Sequence, residues 1–471
     1  MATAFLPCLK ITIIDSGDII MASTEPSSPS DDSSWPSPGR GWVLAGLLAL
    51  ASIMSQFDRT VINLTVEPLK TQFDLNDTQF GMLQSVAFGI FYTLACFPVG
   101  RLVDRYARKT VLGLCLFFFS LFSMGSGLTR NYLQLFLTRI GVGIGEASVT
   151  PAGFSMLSDS FAPGKLGKPM GFFMMSAPVG QGLAYIWGGL LLQWLNDSPV
   201  LAGEGLLSGF EPWQAAFIII GAPGLLLVPC FLMFKEPQRR GDGSEAPLAL
   251  AVVGKVLSER RKALIPMFIG FSMVTLVSYT LFVWVPAFMQ RTYDWNTAQV
   301  GLGFGLTVLT FGTAGAYFGG WMTDRLSARG IMEAPLKVAA FGFVGCGVFG
   351  VLATQMPNGI LAMLFLIPTV FLSNTPYACA GTAIQLIIPN RARGQVTAIY
   401  ITILTLIGLV VGPTVVGLMT DYVFRDPNQI RYSLAIVVGI PAPIMFLLQR
   451  SAFPHYARLR RYMEASLKEE T

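Results

Sequence analysis

The chain has 471 residues, of which 53% are hydrophobic and 13% charged, with a formal net charge of +5. An ordinary soluble domain is about 25% charged. The water-facing surface of a 51.0 kDa soluble protein cannot be built from this supply, so a soluble enzyme is excluded. The apolar content runs through almost the whole chain, which also excludes a single anchor carrying a globular head. Twelve helices of ~20 apolar residues each would account for most of it.

The first twenty residues carry Lys10 but are interrupted by Asp15 and Asp18, and no cleavage site of small residues follows them. They do not read as a secretory signal. Residues 22–40 are rich in Ser, Pro and Asp and are expected to be disordered, with Met21 an alternative start. Apolar helical runs follow at 42–70, 77–104, 109–129, 131–159, 165–195, 213–235, 263–291, 295–324, 335–355, 358–388, 394–422 and 432–452. The domain reading is a cytoplasmic tail at 1–40, a six-helix bundle at 41–235, a cytoplasmic linker at 236–262, a second six-helix bundle at 263–455 and a tail at 456–471. The predicted class is therefore an all-α membrane protein of twelve transmembrane helices in two bundles.

Twelve spans put both termini on one side. Of the 32 Lys and Arg residues, 25 fall in the tails and loops of that side and five on the other (Lys70, Arg130, Arg291, Arg425 and Arg431). Positive charge concentrates on the cytoplasmic side, so both termini are expected there, and the short loops favour a bacterial inner membrane over a eukaryotic one. The six cysteines are scattered with no CxxC pair, and the single histidine, His455, lies near the end. A disulfide framework, a metal site and a histidine relay are not expected. No phosphate-cradling loop and no nucleic-acid motif appears, so ATP and nucleic acid are not expected partners.

The halves echo each other. Gly100, Asp104 and Arg105 recur as Gly320, Asp324 and Arg325 at the same spacing, and AP-GKLGK at 162–168 is matched by IP-NRARG at 388–394. Parallel six-helix repeats are one of the architectures of secondary transporters. The segment GRLVDRYARK at 100–109 resembles the loop signature of the major facilitator superfamily, with Ala107 where that family often has Gly. The resemblance implies a cytoplasmic gate of Gly100, Asp104, Arg105, Arg108, Asp324 and Arg325. In it Gly100 would let helices approach and Asp104 would latch the bundles. Plain positive-inside charge is the alternative. FDRTVIN at 57–63, LTRIGVGIGEAS at 137–148 and PVGQGLAYIWGG at 178–189 are similar to Spinster members of that superfamily. The likeness covers 42–452. It implies transport of lysolipids or sphingosine-1-phosphate, proton-coupled in some members. Facilitator branches carrying sugars or organic anions stay open.

A charge inside a span costs at least ~2.5 kcal/mol and is a functional candidate. Asp58, Arg59, Arg139 and Glu146 qualify, all in the first half. At ~1.5 Å per residue, Asp58 and Arg139 lie at similar depths, ~20 Å from the cytoplasmic side, and could pair. Glu146 follows Arg139 by two turns. Arg59 is turned ~100° from Asp58, so only one of them faces the cleft. The expected mechanism has Asp58 carrying the proton. Ionised, it pairs with Arg139; protonated, it frees Arg139 for an anionic headgroup. Glu146 is a second proton site or a packing charge. The alternative for the set is a static ion network.

Phe172 and Met175, together with Ser278, Tyr279, Asn374 and Tyr377, are candidate cavity-lining residues, with lipid contact or helix packing the alternative for the apolar ones. The functional expectation is a monomeric secondary transporter, not an enzyme, moving an amphipathic anion by alternating access on a proton gradient without a cofactor. A small organic anion or sugar is the second candidate substrate, and a membrane receptor that binds lipid without moving it is the rival from another class.

Overall fold

The computed structural model describes residues 35–201, 208–240 and 250–469, with two short segments at 9–10 and 22–23. The tail expected at 1–40, Cys8, the alternative start at Met21 and the middle of the 236–262 linker lie wholly or largely outside the described residues. Leu9–Lys10 pairs antiparallel with Ala22–Ser23; the other described elements are helical.

The twelve spans are α1 (Pro38–Leu64), α2 (Asp77–Arg105), α3 (Arg108–Ser126), α4 (Tyr132–Glu146, resuming as Val149–Ser158), α5 (Gly167–Asp197) and α6 (Pro212–Met233). The second half has α7 (Arg261–Tyr293), α8 (Thr297–Ala328), α9 (Ala334–Gln355), α10 (Gly359–Ile387), α11 (Ala392–Phe424) and α12 (Pro427–Ala465). Ten of them are long and apolar enough to cross a membrane. The other two are α4, which breaks at Ala147–Ser148 directly after Glu146, and α5, whose apolar residues are diluted by Gly, Pro and Gln.

Three boundaries differ from the sequence expectation. The last run, expected to end at residue 452, continues as helix to Glu469 through the expected tail. The first run, expected to reach residue 70, stops at Leu64, where the Thr65 hydroxyl turns back to the Ile62 carbonyl at 2.9 Å. A separate amphipathic turn, Val66–Phe73, follows. Within the expected linker, Leu250–Glu259 is helical.

The same corner recurs in both halves. Asp74 ends Val66–Phe73 in a left-handed conformation (φ 51°), and Asn76 then opens α2 with a reciprocal capping box to Gln79. Asp294 (φ 55°) ends α7 in the same way, and Asn296 caps α8 with Gln299. The side-chain oxygen of each Asn accepts from an otherwise orphaned helix-start N–H. The rigid corners aim α2 and α8 back across the bilayer.

On the side away from the termini the halves pack tightly, through α1, α2 and α5 against α7, α8 and α11. The Phe80 and Trp284 rings stand edge to face at 5.6 Å, as do Tyr185 and Phe304 at 5.0 Å, and the Trp284 indole N–H donates to the Pro413 carbonyl at 2.9 Å. Gly189 on α5 and Gly301 on α8 let the backbones touch: a Cβ on Gly301 would lie 2.5 Å from the Tyr185 carbonyl oxygen. Towards the termini the halves part, and Phe91–Arg105 packs against its own half. The chain is thus closed on the far side and open on the terminus side. Helices α2, α8 and α11 carry π-helical turns at Leu83–Ile90, Val308–Gly312 and Leu406–Val411. Such turns are rare and concentrate at functional sites.

Candidate functional site

The in-span charges form two pairs between α1 and α4. Arg139 donates to both carboxylate oxygens of Asp58, Nη1 to Oδ2 at 2.7 Å and Nη2 to Oδ1 at 3.3 Å. From α3, the Ser123 hydroxyl donates to Asp58 Oδ1 at 2.5 Å, and Arg139 Nη2 donates to the Ser126 hydroxyl at 2.5 Å. From α6, the Phe217 ring lies 4.9 Å from the Arg139 guanidinium carbon. Asp58 and Arg139 are 0% and 1% exposed. The pair is sealed inside the first bundle, and neither member lines the space between the halves. This departs from the expectation of a shared vestibule. The reason is azimuthal: α1 turns Asp58 towards α3, α4 and α6.

One residue on, α1 turns Arg59 the other way. Its Nε donates to Glu146 Oε2 at 2.8 Å and its Nη2 pairs with Oε1, while the Ser55 hydroxyl donates to Oε1 of the same carboxylate. The guanidinium lies over the rings of Phe88 and Tyr92, at 4.4 and 4.8 Å, an arrangement that favours a cation. Both rings sit on α2, Phe88 within its π-helical turn and Tyr92 just beyond it. Arg59 opens into a pocket between the halves, where it is joined by Gln56, Asn63, Gln84 and Gln181 of the first half and faces Tyr279, Phe282 and Pro413 of the second. The Gln84 amide donates to the Arg59 carbonyl at 3.2 Å and also to Asn63. These amides were not singled out in the sequence. The signal that could have found them is a polar residue on the Arg59 face of α1, at Gln56 and Asn63.

Tyr279 lines this pocket, and Ser278 is buried beside it. Asn374 donates to the Val370 carbonyl of its own helix at 2.8 Å. Tyr377 is partly exposed, and Phe172 and Met175 are exposed on the terminus-side part of α5, Phe172 edge-on to Trp42.

The expected gate is not a latch in this state. A Cβ on Gly100 would meet nothing within 4 Å, so no helix approaches there. Among the described residues neither Asp104 nor Asp324 forms an ion pair. Arg105 and Arg325 lie beside rings of their own segments, Tyr106 at 5.8 Å and Trp321 at 5.3 Å. The parting of the halves on this side is the physical cause. Arg108 is different. It is buried, pairs with Asp159 and Glu236, and its Nη2 donates to the Pro237 carbonyl at 2.7 Å, tying α3 to α4 and to the chain leaving α6. Arg239 reaches the Val103, Asp104 and Tyr106 carbonyls and so caps the end of α2.

The far side carries an ionic cluster that the sequence reading did not identify. Arg291 of α7 donates to Asp77 through Nη1 at 2.7 Å and Nη2 at 2.8 Å, and to Glu67 through Nε at 2.7 Å. Lys70 adds a second cation to Asp77, which is 0% exposed. From α11, Asp421 accepts from the Asp77 N–H at 3.1 Å, the Thr78 N–H at 2.6 Å and the Thr78 hydroxyl at 2.6 Å. A carboxylate of one half thereby caps a helix start of the other, where the dipole favours it.

The family described as Major Facilitator Superfamily matches residues 48–453. An "MFS-type efflux pump" of Mycolicibacterium smegmatis is 28% identical over 427 residues, covering 90% of this chain and 94% of the relative. A "Probable L-galactonate transporter" of Escherichia coli is 27% identical, covering 75% and 77%. "Protein spinster homolog 1" of Homo sapiens is also 27% identical, covering 83% and 75%. Among solved structures, a bacterial homologue of the human lysosomal transporter Spinster, inward-facing and unoccupied, superposes with a TM-score of 0.73 at 20% identity, over 91% of this chain and 99% of that one. The chain belongs to the major facilitator superfamily, a family of multi-pass membrane transporters and not of enzymes, and it is similar to Spinster proteins within that superfamily.

Proposed function

We propose that the protein couples protons to the movement of an amphipathic anion of the lysolipid or sphingosine-1-phosphate kind, with both termini in the cytoplasm of a bacterial cell and the chain acting as a monomer. One observation carries this reading: Arg59 is the only cation lining the described pocket between the halves, and its ion-pair partner is Glu146. In the proposed cycle Glu146 is the proton carrier. Protonated, it releases Arg59 to hold the anionic headgroup; ionised, it takes Arg59 back and expels the anion. Asp58 and Arg139, which stood as carrier and headgroup ligand in the sequence expectation, act here as the strut that sets α1 against α4. Phe172 and Met175 offer exposed apolar surface on the open side for the tail.

A second reading has its own support. The four amides around Arg59 suit a small hydroxylated acid, and one relative is named for L-galactonate. Counterflow and gradient-driven uptake in proteoliposomes separate the possibilities, using a lysophospholipid and a sugar acid as probes. E146Q is expected to keep counterflow of the transported probe and lose its proton dependence. Full gradient dependence in E146Q would remove Glu146 from the coupling. Absence of counterflow with either probe in the native protein would overturn both substrate assignments.

A further inference from the structure

One side chain of the second half sits inside the first bundle. Leu409 of α11 is 5% exposed and is buried in the same apolar core as Phe88. Among the described residues it is the one buried side chain of the second half in that core. It gets there because α2 presents no side chain at Gly89, where a Cβ would lie 3.1 Å from Leu409 Cβ. Gly89 and Leu409 each belong to a π-helical turn, Leu83–Ile90 of α2 and Leu406–Val411 of α11. The two turns pack on each other across the boundary between the halves.

The α2 segment carries two adjoining stripes. Gly81, Ser85 and Gly89 face α11: a Cβ on Gly81 would lie 2.9 Å from the Pro413 carbonyl oxygen, and the Ser85 hydroxyl meets that of Thr414 at 2.6 Å. Gln84, Phe88 and Tyr92 face Arg59. The Gln84 amide donates to the Arg59 carbonyl at 3.2 Å. The Phe88 and Tyr92 rings, stacked at 5.7 Å, lie 4.4 and 4.8 Å from the guanidinium carbon. In a regular α-helix, at ~100° per residue, residues 84, 88 and 92 would fan out over ~80°. The wider i→i+5 turn narrows that fan, and all three reach one arginine. Behind the turn α4 leaves no slack, since a Cβ on Gly143 would lie 2.9 Å from the Phe88 carbonyl oxygen. The turn is therefore held between Gly143 of its own half and Leu409 of the other.

We infer that, on the reading in which Arg59 holds the anion, Leu409 is a positioning residue of the transport site and acts on Arg59 through the α2 π turn. While the far side is closed, Leu409 props the turn, and the turn keeps Gln84, Phe88 and Tyr92 on Arg59. When the halves rock and the far side opens, α11 carries Leu409 out of the first bundle. Protein interiors are close-packed, so the turn moves into the vacated space, tightens towards α geometry and fans the three residues apart. Arg59 then loses its ring contacts. The anion is held less tightly in the state that faces the far side than in the one that faces the termini.

The test places 4-fluorophenylalanine at position 88 of the full chain in lipid nanodiscs and reads its fluorine NMR resonance. R59Q supplies the reference for the ring without its cation. L409A, which removes the prop, is expected to move the native resonance to the R59Q position. L409M, which refills the space with an unbranched side chain of similar volume, is expected to restore it. L366A, an equal truncation in the core of the second half, is expected to leave it in place. If L409A does not fold, L409V is read in the same way. In counterflow of the transported probe, lysophospholipid or sugar acid, L409A is expected to raise the apparent KM on the order of tenfold, the worth of one desolvated cation–ring contact. An unmoved resonance in the folded Leu409 variant would overturn the inference. So would failure of L409M to restore it, or equal movement in L366A, which would reduce the effect to general loosening. The resonance needs neither substrate nor a proton gradient. Movement in L409A together with native counterflow affinity in R59Q would support the link from Leu409 to Arg59 and refute the anion reading.

Discussion

Arg291 is the bond donor that holds the far side shut, and its removal gives the sharpest test of the two-state picture. In R291A, Asp77 loses two hydrogen bonds and Glu67 one. Hydrogen bonds to charged groups contribute about 1.5–3 kcal/mol each, but the full sum does not apply. Glu67 is 41% exposed, which screens its share, and Lys70 still neutralises Asp77. About 2–4 kcal/mol remains. Arg291 belongs to the second half and its carboxylate partners to the first, so this loss falls on the far-closed state alone. At tenfold per 1.4 kcal/mol, the ratio of far-open to far-closed molecules should rise roughly 30- to 700-fold. Ser85 reports this ratio. It is 0% exposed, and its hydroxyl meets Thr414 of the other half at 2.6 Å. With the six native cysteines replaced, S85C should be protected from a thiol reagent confined to the far side. The same site in R291A should react faster by that factor. Unchanged protection in folded R291A would show that the cluster does not set the equilibrium.

Other consequences follow from the geometry. D58N leaves the buried Arg139 without an anion; breaking such a pair costs about 3–5 kcal/mol. Thermal unfolding in detergent should therefore drop markedly, while the proton dependence of the remaining transport is retained, and a D58N protein of native stability would refute the strut assignment. G301A places a Cβ 2.5 Å from the Tyr185 carbonyl and 2.9 Å from Gly189 Cα. Backbone on the opposing helix cannot yield as a side chain can, so a loss of about 1–3 kcal/mol is expected. G171A, on the open part of α5 with nothing within 4 Å, should be neutral or slightly stabilising through helix propensity, and equal melting shifts for the two glycines would contradict the close α5–α8 packing.

The spans were legible because bilayer insertion writes length and hydropathy directly into the chain. The α1–α4 pairing was legible from depth, since 1.5 Å per residue is the same in any helix. Azimuth was not. That Asp58 and Arg59 point different ways follows from the helix itself, but which one meets the cleft depends on how α1 packs on α3 and α6. The corner D-x-N-x-x-Q-x-G occurs at 74–81 and again at 294–301, at the same offset as the Gly100 and Gly320 loops. It was readable as a repeated capping box. The latch residues illustrate a different limit. A transporter sequence serves two conformations, and in the one open on the terminus side no helix lies against Gly100 and no described cation pairs with Asp104.

The distribution of charge follows from the same geometry. α1 and α4 run antiparallel, so Arg139 meets Asp58, and Glu146, two turns further along α4, meets Ser55 and Arg59 nearer the termini. The two pairs share one helix interface but differ in what surrounds them. The Asp58 pair has serine hydroxyls and a Phe217 ring on its other sides, so neither charge has a new partner to move to. The Arg59 pair has one wall made of the opposite half, at Tyr279. When the halves rock, that wall moves and the first does not. A carboxylate whose surroundings change with the conformational cycle can change its proton affinity during it, whereas one locked in a rigid bundle cannot. This asymmetry, more than burial or pairing alone, is why the proposed cycle gives coupling to Glu146 and architecture to Asp58. It also explains why the second half can dispense with in-span charges near the pocket. In the proposed cycle its part is to move a neutral wall past a fixed ionic one.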